Sequence, residues 1–597
     1  MSTEQTGFDC QSLCEPLDEY ISYFKQLHEK NTVDMFEFLT KKSGVDVAQN
    51  KTTVAELQNE KAKKAQTEKR IGKQKLFRGI AIFFLVAAII AVVAGIAGAV
   101  QNYESSHLIL IIGGACIIGL NIFLLTKIKP ILQALKEKLT AEEKRIEELT
   151  TLAWNQMREL NALLIPDLRN QLFMKTLPMF KLDKYFDRKR YEYLVQKFGF
   201  NDDNDINRST LFVQSGEIEG NPFFICRDLK HEMGVKTYTG SITIHWTTTH
   251  YENGKMVTRH HSEVLTASVT KPCPYYSVIS YLIYANEAAP DLIFSRLDSD
   301  AENMNQKQID RAVKKGMKKL SKKAEKSVKQ GGSYTTLGNE EFEVLFGATD
   351  RNHEVQFRLL FTPLAQKNLL KLMKEKQYGY GDDFAFFKHK MINKVFPQHI
   401  QNFPLDISDN YFHHYDYEAI KSKFISYNLD YMRQLYFAFA PLMAIPLYRQ
   451  HKPHEYIYEG MYDSYASYYS HEYVANSFGE EYFMHPSSRT RNILKTHVLK
   501  SENNRDTVSV TAYGYHIEPR IDYINKMGGD GNIHTIPVHW DEYIPVAETH
   551  VLDIDVFDDE QELVNSKQYN NYLNAVGNQA ANAVLRRIGV YLARLKK

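Results

Sequence analysis

Residues 79–100, GIAIFFLVAAIIAVVAGIAGAV, decide the fold, and a second apolar run, LILIIGGACIIGLNIFLLT, follows at 108–126. The first run has no charged residue, and Asn121 is the one strongly polar residue of the second. About 20 apolar residues in a helix cross the hydrocarbon core of a bilayer. Only QNYESSH separates the runs, so they predict a transmembrane helical hairpin. The alternative, a buried core hairpin, is disfavoured because two such runs rarely follow each other in soluble domains.

Basic residues surround the two runs and are missing from the turn between them. Eight Lys and Arg residues lie within 61–78 and four within 127–138. Cytoplasmic flanks are enriched in Lys and Arg, so we expect a cell-membrane protein with two spans and both termini in the cytoplasm. The opening residues, MSTEQTGFDC, do not have the pattern of a cleavable signal peptide. Five cysteines in 597 residues favour a reducing compartment.

A heptad pattern follows the second run. One series repeats every seven residues, and it consists of Leu132, Leu139, Ile146, Ala153 and Leu160. Such a pattern is typical of a coiled coil, so residues 46–165 are predicted to form stalk helices that extend the spans. The pattern fits an antiparallel stalk within one chain, which we favour, and also a parallel coiled coil that joins two copies.

The rest of the chain mixes helical and strand patterns, so the expected fold class is α+β with antiparallel sheets. The predicted segments are short N-terminal helices at 1–45, an α+β domain with β-hairpins at 166–296, a basic helical linker at 297–333, a second α+β domain at 334–450, and a Tyr/His-rich segment, strands and a C-terminal helix at 451–597. Within 334–450 we expect a helix at 340–345, a strand at 354–361 and a helix after Thr362-Pro363. The C-terminal helix is expected at 565–597.

Three short motifs resemble a known family. They are FEVLF at 342–346, HEVQFR with the following LFTP at 353–363, and SGEIEG at 215–220. Together they are similar to a bacterial membrane-protein family of unknown function that has two N-terminal spans and a cytosolic α+β region. The resemblance covers about residues 70–450 and carries no active site. It implies a bacterial source and a cytoplasmic-membrane location.

The linker contains the most basic segment of the chain. Residues 307–329 hold ten basic and two acidic residues, and apolar residues recur among them at helical spacing. This pattern predicts a helix with a narrow apolar stripe. Such a helix is a solvated surface helix, one that binds anionic lipid headgroups, or one that binds nucleic acid or an acidic protein. The candidate membrane-surface residues are Lys314, Lys315, Lys318, Lys319, Lys322 and Lys323.

Histidines suggest two candidate metal pairs. If Asn253-Gly254 forms a hairpin turn, Trp246 pairs with His261 and Thr247 with His260, which places His245 and His260 diagonally on one face. His539 and Asp541 share a face of a later strand. Neither pair has a third ligand, so solvent-facing strand residues are the preferred interpretation.

The sequence favours a non-enzymatic role. It has no nucleophile elbow, Walker loop, CxxC pair or kinase signature, and no cofactor is expected. A net charge of +1 argues against nucleic-acid binding by the whole chain. The expected function is therefore a membrane-anchored cytosolic scaffold that binds an unidentified protein or the membrane surface. The alternatives are a metal-dependent hydrolase and an accessory subunit of a membrane transport or secretion complex.

Overall fold

The computed structural model describes residues 15–101, 105–201, 204–252, 255–449, 467–502, 504–557, 559–577 and 584–596. Within these ranges the chain is an α+β protein with a seven-stranded and a five-stranded antiparallel sheet, which confirms the expected class. It divides into two compact units. One comprises Glu29–Leu168 and Ile407–Leu429, and the other Met1–His28, Arg169–Asp406 and Asp430–Lys597.

The helices are taken in chain order. They are α1 (Pro16–Glu19), α2 (Lys25–Ser43), α3 (Val47–Gln101), α4 (Ser105–Leu163), α5 (Leu168–Thr176), α6 (Arg188–Phe198), α7 (Gln306–Lys329), α8 (Glu340–Phe346), α9 (Glu354–Leu360), α10 (Pro363–Lys374), α11 (Tyr417–Met443), α12 (Tyr468–Phe478), α13 (Glu560–Asn565) and α14 (Lys567–Gly577). A π-helical turn, Tyr20–Phe24, joins α1 to α2.

The strands are β1 (Phe180–Leu182), β2 (Arg208–Ile218), β3 (Asn221–Glu252), β4 (Lys255–Ala285), β5 (Ile293–Arg296), β6 (Phe384–His389), β7 (Ile392–Pro397), β8 (Ile493–Glu502), β9 (Arg505–Met527), β10 (Ile533–Val556), β11 (Val584–Ile588) and β12 (Tyr591–Lys596). The first sheet has the order β1-β2-β3-β4-β7-β6-β5, and the second β11-β12-β10-β9-β8. Helix α6 packs on the first sheet and α12 and α13 on the second, and each contact encloses an apolar core.

Helices α3 and α4 form an antiparallel pair. Residues near the start of α3 contact residues near the end of α4, and later residues of α3 contact earlier ones of α4: Asn50 bonds Gln156, Lys64 pairs with Glu143 at 2.9 Å, and Val92 lies against Gly114. The buried and half-buried positions alternate between three- and four-residue spacing. On α4 they include 132, 135, 139, 142, 146, 149, 153, 156 and 160. The predicted heptad residues therefore face α3 within the same chain.

Two polar contacts interrupt this apolar seam. Gln156 accepts a hydrogen bond from Asn50 at 3.2 Å and donates one to Thr53 at 3.0 Å. Further along, the Thr67 hydroxyl donates to buried Glu142 at 3.2 Å. Both contacts join α3 to α4, and a polar pair within a helical seam favours one register because any shift leaves its members unpaired.

Two long β-ribbons dominate the sheets. β3 and β4 pair without a register shift from Phe223–Tyr284 to Glu252–Lys255, and β9 pairs with β10 from Arg505–Asp555 to Met527–Ile533. The register confirms the predicted pairs Trp246–His261 and Thr247–His260. The Asn253-Gly254 turn itself lies outside the described residues. Beyond their sheets, the outer parts of both hairpins are two-stranded ribbons.

The two ribbons pack against each other. Ile244, Leu265 and Ile536 form a small buried cluster between them. Lys271 pairs with Asp522 at 2.7 Å and lies 4.1 Å from the Trp540 ring. At Gly240 the backbone of β3 approaches β10 so closely that a Cβ atom would lie 2.2 Å from the Pro537 carbonyl oxygen. Only glycine permits this approach.

Three secondary-structure predictions are wrong. Residues 16–43 form a nearly continuous helical run, which Gly44 follows with φ +64°, rather than the short helices expected at 1–45. Residues 354–360 form helix α9 and not a strand, because the His353 side chain caps it by accepting from Gln356 N. In place of the helix predicted over 565–597, the described residues form α14, Lys567–Gly577, and the hairpin β11–β12, whose second strand pairs with β10.

Candidate membrane interface and metal-ligating residues

Helix α7 is well defined by its own sequence. Asn305 caps its first turn by accepting a hydrogen bond from Gln308 N, and Asn305 N in turn donates to Oε1 of the Gln308 side chain. This reciprocal capping box satisfies two backbone donors that a helix start otherwise exposes. The predicted basic helix is therefore present over Gln306–Lys329.

The apolar stripe of α7 is already occupied. Ile309 is buried, and Val313, Met317 and Leu320 are half-buried along the same side. Gly316 sits against α8, where a Cβ atom would come within 2.6 Å of Val344 Cγ1. The stripe packs on the protein, so it is not available for insertion between lipid tails.

The basic side of α7 faces solvent. All six candidate lysines are exposed, and among the described residues Lys314, Lys315, Lys318, Lys319 and Lys322 take part in no ion pair. Lys323 differs, because its ammonium donates to the Thr349 carbonyl at 2.5 Å and lies 4.8 Å from the Tyr334 ring. Five lysines thus present an unneutralised positive surface, and the sixth helps to hold α7 in place.

The apolar runs of α3 and α4 have large exposed side chains around much of their circumference. In the most apolar stretch of 18 residues, 17% is buried on α3 and 11% on α4, whereas a core helix is mostly buried. The exposed side chains are Leu76, Phe77, Ile80, Ile82, Phe83, Phe84, Val86, Ile89, Ile90, Val93 and Ile96 on α3, and Ile109, Ile112, Ile117, Leu120, Ile122, Phe123, Leu124 and Ile131 on α4. Both helices are long and apolar enough to span a membrane.

Asn121 lies on the inner seam of this apolar region. Its side chain is buried, and its amide donates to the Ile117 carbonyl at 2.9 Å. That bond within the helix satisfies the amide donor locally, as short polar side chains in helices can do by bonding the backbone carbonyl four residues earlier. The polar group therefore faces the partner helix rather than the surroundings.

The candidate metal residues are not gathered into a site. His245 and His260 lie on the outer, exposed face of the first ribbon, and His539 is exposed on the second. Asp541 lies near the other ribbon, 3.5 Å from the Tyr238 hydroxyl and 4.0 Å from Lys236 Nζ. Among the described residues no three His, Cys, Asp or Glu side chains are placed to hold a metal ion.

Sequence patterns did not indicate a buried charge cluster that joins α6 to α12 and β9. Arg188 Nη2 lies 2.7 Å from Asp506 Oδ2, and His471 Nε2 lies 2.9 Å from the same oxygen. Burial alone would raise the pKa of Asp506, but the contacts with His471 and Arg188 hold it below its usual value. In the basic run Asp187-Arg-Lys-Arg190, Arg188 and Arg190 are buried and tie α6 to neighbouring acids.

No family model matches this chain, and no curated protein or solved structure matches it either.

Proposed function

We propose that this protein is a membrane-anchored, non-enzymatic scaffold, with α3 and α4 crossing the bilayer as a hairpin. The observation that carries the proposal is the exposed apolar surface of both helices. Exposure of apolar surface to water raises the free energy by about 25 cal/mol for each Å². Lipid tails remove that cost without requiring any further protein contact.

The polar parts of α3 and α4 form an intramolecular antiparallel coiled-coil stalk in this proposal. Its support is the alternating three- and four-residue spacing of the seam and the interhelical contacts of Gln156 and Glu142. The basic flanks support a cytoplasmic position for both termini. The resemblance at 342–363 supports the cytoplasmic membrane of a bacterium as the location.

The second part of the proposal is that the basic face of α7 binds anionic lipid headgroups. Five exposed lysines without acidic partners lie along one side of this helix. Each basic residue near an anionic surface contributes about 1 kcal/mol. Because the apolar stripe packs on α8, the contact is electrostatic and lies at the headgroup level. A protein partner for the rest of the cytosolic region remains part of the scaffold proposal.

The lipid contact is tested on the full-length protein in nanodiscs. A cysteine-free version carrying Ser321→Cys receives a fluorescent label on the exposed side of α7. In anionic nanodiscs we expect the label to be shielded from aqueous iodide, and in neutral nanodiscs to be quenched freely. Salt should remove the shielding, because charges are screened over a Debye length of about 8 Å at physiological ionic strength.

Two charge-matched variants complete this test. Changing Lys314, Lys315, Lys318 and Lys319 to Gln should abolish the shielding. Changing four exposed lysines elsewhere, Lys175, Lys255, Lys390 and Lys500, to Gln removes the same charge and should leave it intact. Equal shielding in neutral and anionic nanodiscs would contradict the electrostatic contact.

A further inference from the structure

The outer face of the first ribbon carries no Lys, Arg, Asp or Glu over seven consecutive cross-strand rows. These rows pair alternate residues of β3, from Thr237 to Thr249, with alternate residues of β4, from Thr270 back to Thr258. All 14 residues are exposed, and 11 of them are Thr or Ser, two are His and one is Val. We call this surface the hydroxyl face.

The opposite face of the same ribbon is occupied. Ile244 and Leu265 lie on it and form a buried cluster with Ile536 of the second ribbon. Successive residues of a strand point to opposite faces, so the hydroxyl face is turned away from the second ribbon. Within the described part of the chain nothing covers the hydroxyl face, since each of its positions is exposed.

The strand preference of threonine explains part of this composition, because β-branched side chains suit a pleated surface. It does not explain the missing charges. Charged residues make up 24% of the chain, and the second ribbon carries Glu518, Arg520 and Glu542 as partly exposed, paired charges. Charged side chains are a common means of preventing association between sheets. The hydroxyl face does not have this protection.

The hydroxyl groups are suited to a partner surface of the same kind. Each Thr or Ser hydroxyl donates one hydrogen bond and can accept two. In the described residues, one side-chain bond joins two members of the face, Thr237 and Thr270, at 3.2 Å. A surface whose groups both donate and accept is complementary to an identical copy of itself, and two uncharged copies do not repel each other.

We propose that the hydroxyl faces of two copies of this chain stack on each other across a two-fold axis. Facing sheets pack about 10 Å apart, which short Thr and Ser side chains can fill. The central row of the seven is Thr243 with Val264, and Val264 is 59% exposed. The face therefore has its one apolar side chain at the centre and polar groups around it, as protein interfaces commonly do.

The size of the face sets the strength of the contact. Its rows extend about 40 Å along the strands, and two strands cover about 10 Å in width. The stack would bury roughly 400 Å² on each copy, which is about half of the area that a stable interface needs. The contact is therefore weak between free molecules. Confinement in a bilayer raises the local concentration, and this step rests on the proposed membrane anchor.

Cross-linking of the full-length protein in proteoliposomes tests the stack. In a two-fold pair the central row meets its own counterpart, whether the two ribbons run parallel or antiparallel. In a cysteine-free version, Val264→Cys should therefore give a covalent dimer with a short bis-methanethiosulfonate, in a yield that rises with the ratio of protein to lipid.

Asn525→Cys, exposed on the second ribbon, is the matched control. Its yield should stay at least about ten-fold lower, because random collisions do not hold it beside its counterpart. Equal yields from Val264→Cys and Asn525→Cys would overturn the proposal.

Charges placed in the central row test the self-complementarity. Thr243→Glu sets two carboxylates against each other across the stack, and Thr243→Lys sets two ammonium groups against each other. Each should lower the Val264→Cys yield about ten-fold, because like charges at an interface repel. A mixture of the two variants should restore the cross-link between unlike copies, which tags of different size identify. In variants that thermal melting shows to be folded, no loss of yield, or a loss without rescue in the mixture, would overturn the proposal.

Extraction of the same vesicles with alkaline carbonate tests the anchor separately. Protein that stays in the membrane but gives no Val264→Cys dimer would overturn the stack and keep the anchor. Protein that is released and still cross-links through Val264→Cys would overturn the anchor and support the stack.

Discussion

Lys388 shows how a single buried charge adjusts to the core. It is 1% exposed on β6, its Nζ donates to the Ala288 carbonyl at 3.1 Å, and it lies 5.5 Å from the Tyr448 ring. Burial lowers its pKa from 10.5 to about 7. The unfolded chain therefore binds an extra proton between these values, and the contribution of this lysine to stability rises with pH across that window.

Lys388→Met should stabilise the protein most at low pH. Below about pH 7 the native state carries a charged amine in the core, and methionine removes that cost at about 1.4 kcal/mol per pKa unit, less about 1 kcal/mol for the lost hydrogen bond. Thermal melting at pH 6 and pH 9 measures the difference. Lys390→Met, an exposed change on the next turn, is the control. An equal gain at both pH values would contradict the buried-charge explanation.

The position of Lys388 was detectable in the sequence. Phe384, Phe386 and Lys388 alternate along β6, and all three are buried. Strand periodicity therefore places this lysine on the inner face.

In contrast, nothing local indicates that Glu472 is buried beside Asp228, because 244 residues separate them in sequence and only the tertiary fold brings α12 to β3. Helical spacing was enough to predict that the six lysines of α7 lie off its apolar stripe. That the stripe is covered depends on its packing against α8, which the local sequence does not show.

At the level of elements, long ribbons were predictable and short segments were not. The ribbon register followed from a two-residue turn flanked by alternating strands. Residues 354–360 fit both a strand and a helix, and the burial of Phe357 and Leu360, three residues apart, accompanies the helical form. At the C-terminus, Val584–Ile588 also fits a helical stripe, but pairing of β12 with β10 favours the hairpin.

Gly240→Ala should loosen the packing of the two ribbons. The new Cβ would meet the Pro537 carbonyl oxygen at 2.2 Å, and the backbone has to move apart. Such overpacking costs about 1–3 kcal/mol. Amide hydrogen exchange should become faster around 236–246 and 533–541, and the melting temperature should fall.

Ser241→Ala is the matched control, because its side chain is exposed on the neighbouring position of the same strand. It should leave exchange in both ribbons unchanged. If Gly240→Ala behaves like Ser241→Ala, the close approach of β3 to β10 is not present in solution.

At the scale of the whole molecule, the proposed topology makes a prediction in intact cells. In a cysteine-free background, Asn102→Cys should react with a membrane-impermeant maleimide, because the proposed topology puts the link between the two apolar runs outside the cytoplasm. Ser333→Cys, exposed after α7, should react only after the cells are opened. The reverse pattern would contradict the orientation that the basic flanks predict.

The seam between α3 and α4 has a mechanical consequence. On α3 its alternating spacing runs from Asn50 to Gln74 and resumes from Ala81 through Ala88 and Gly95, and residues 75–80 between these two parts are exposed. A twist applied at the apolar end would pass along the pair as torque. It would reach the Thr67–Glu142 contact first and the Asn50–Gln156 contact last.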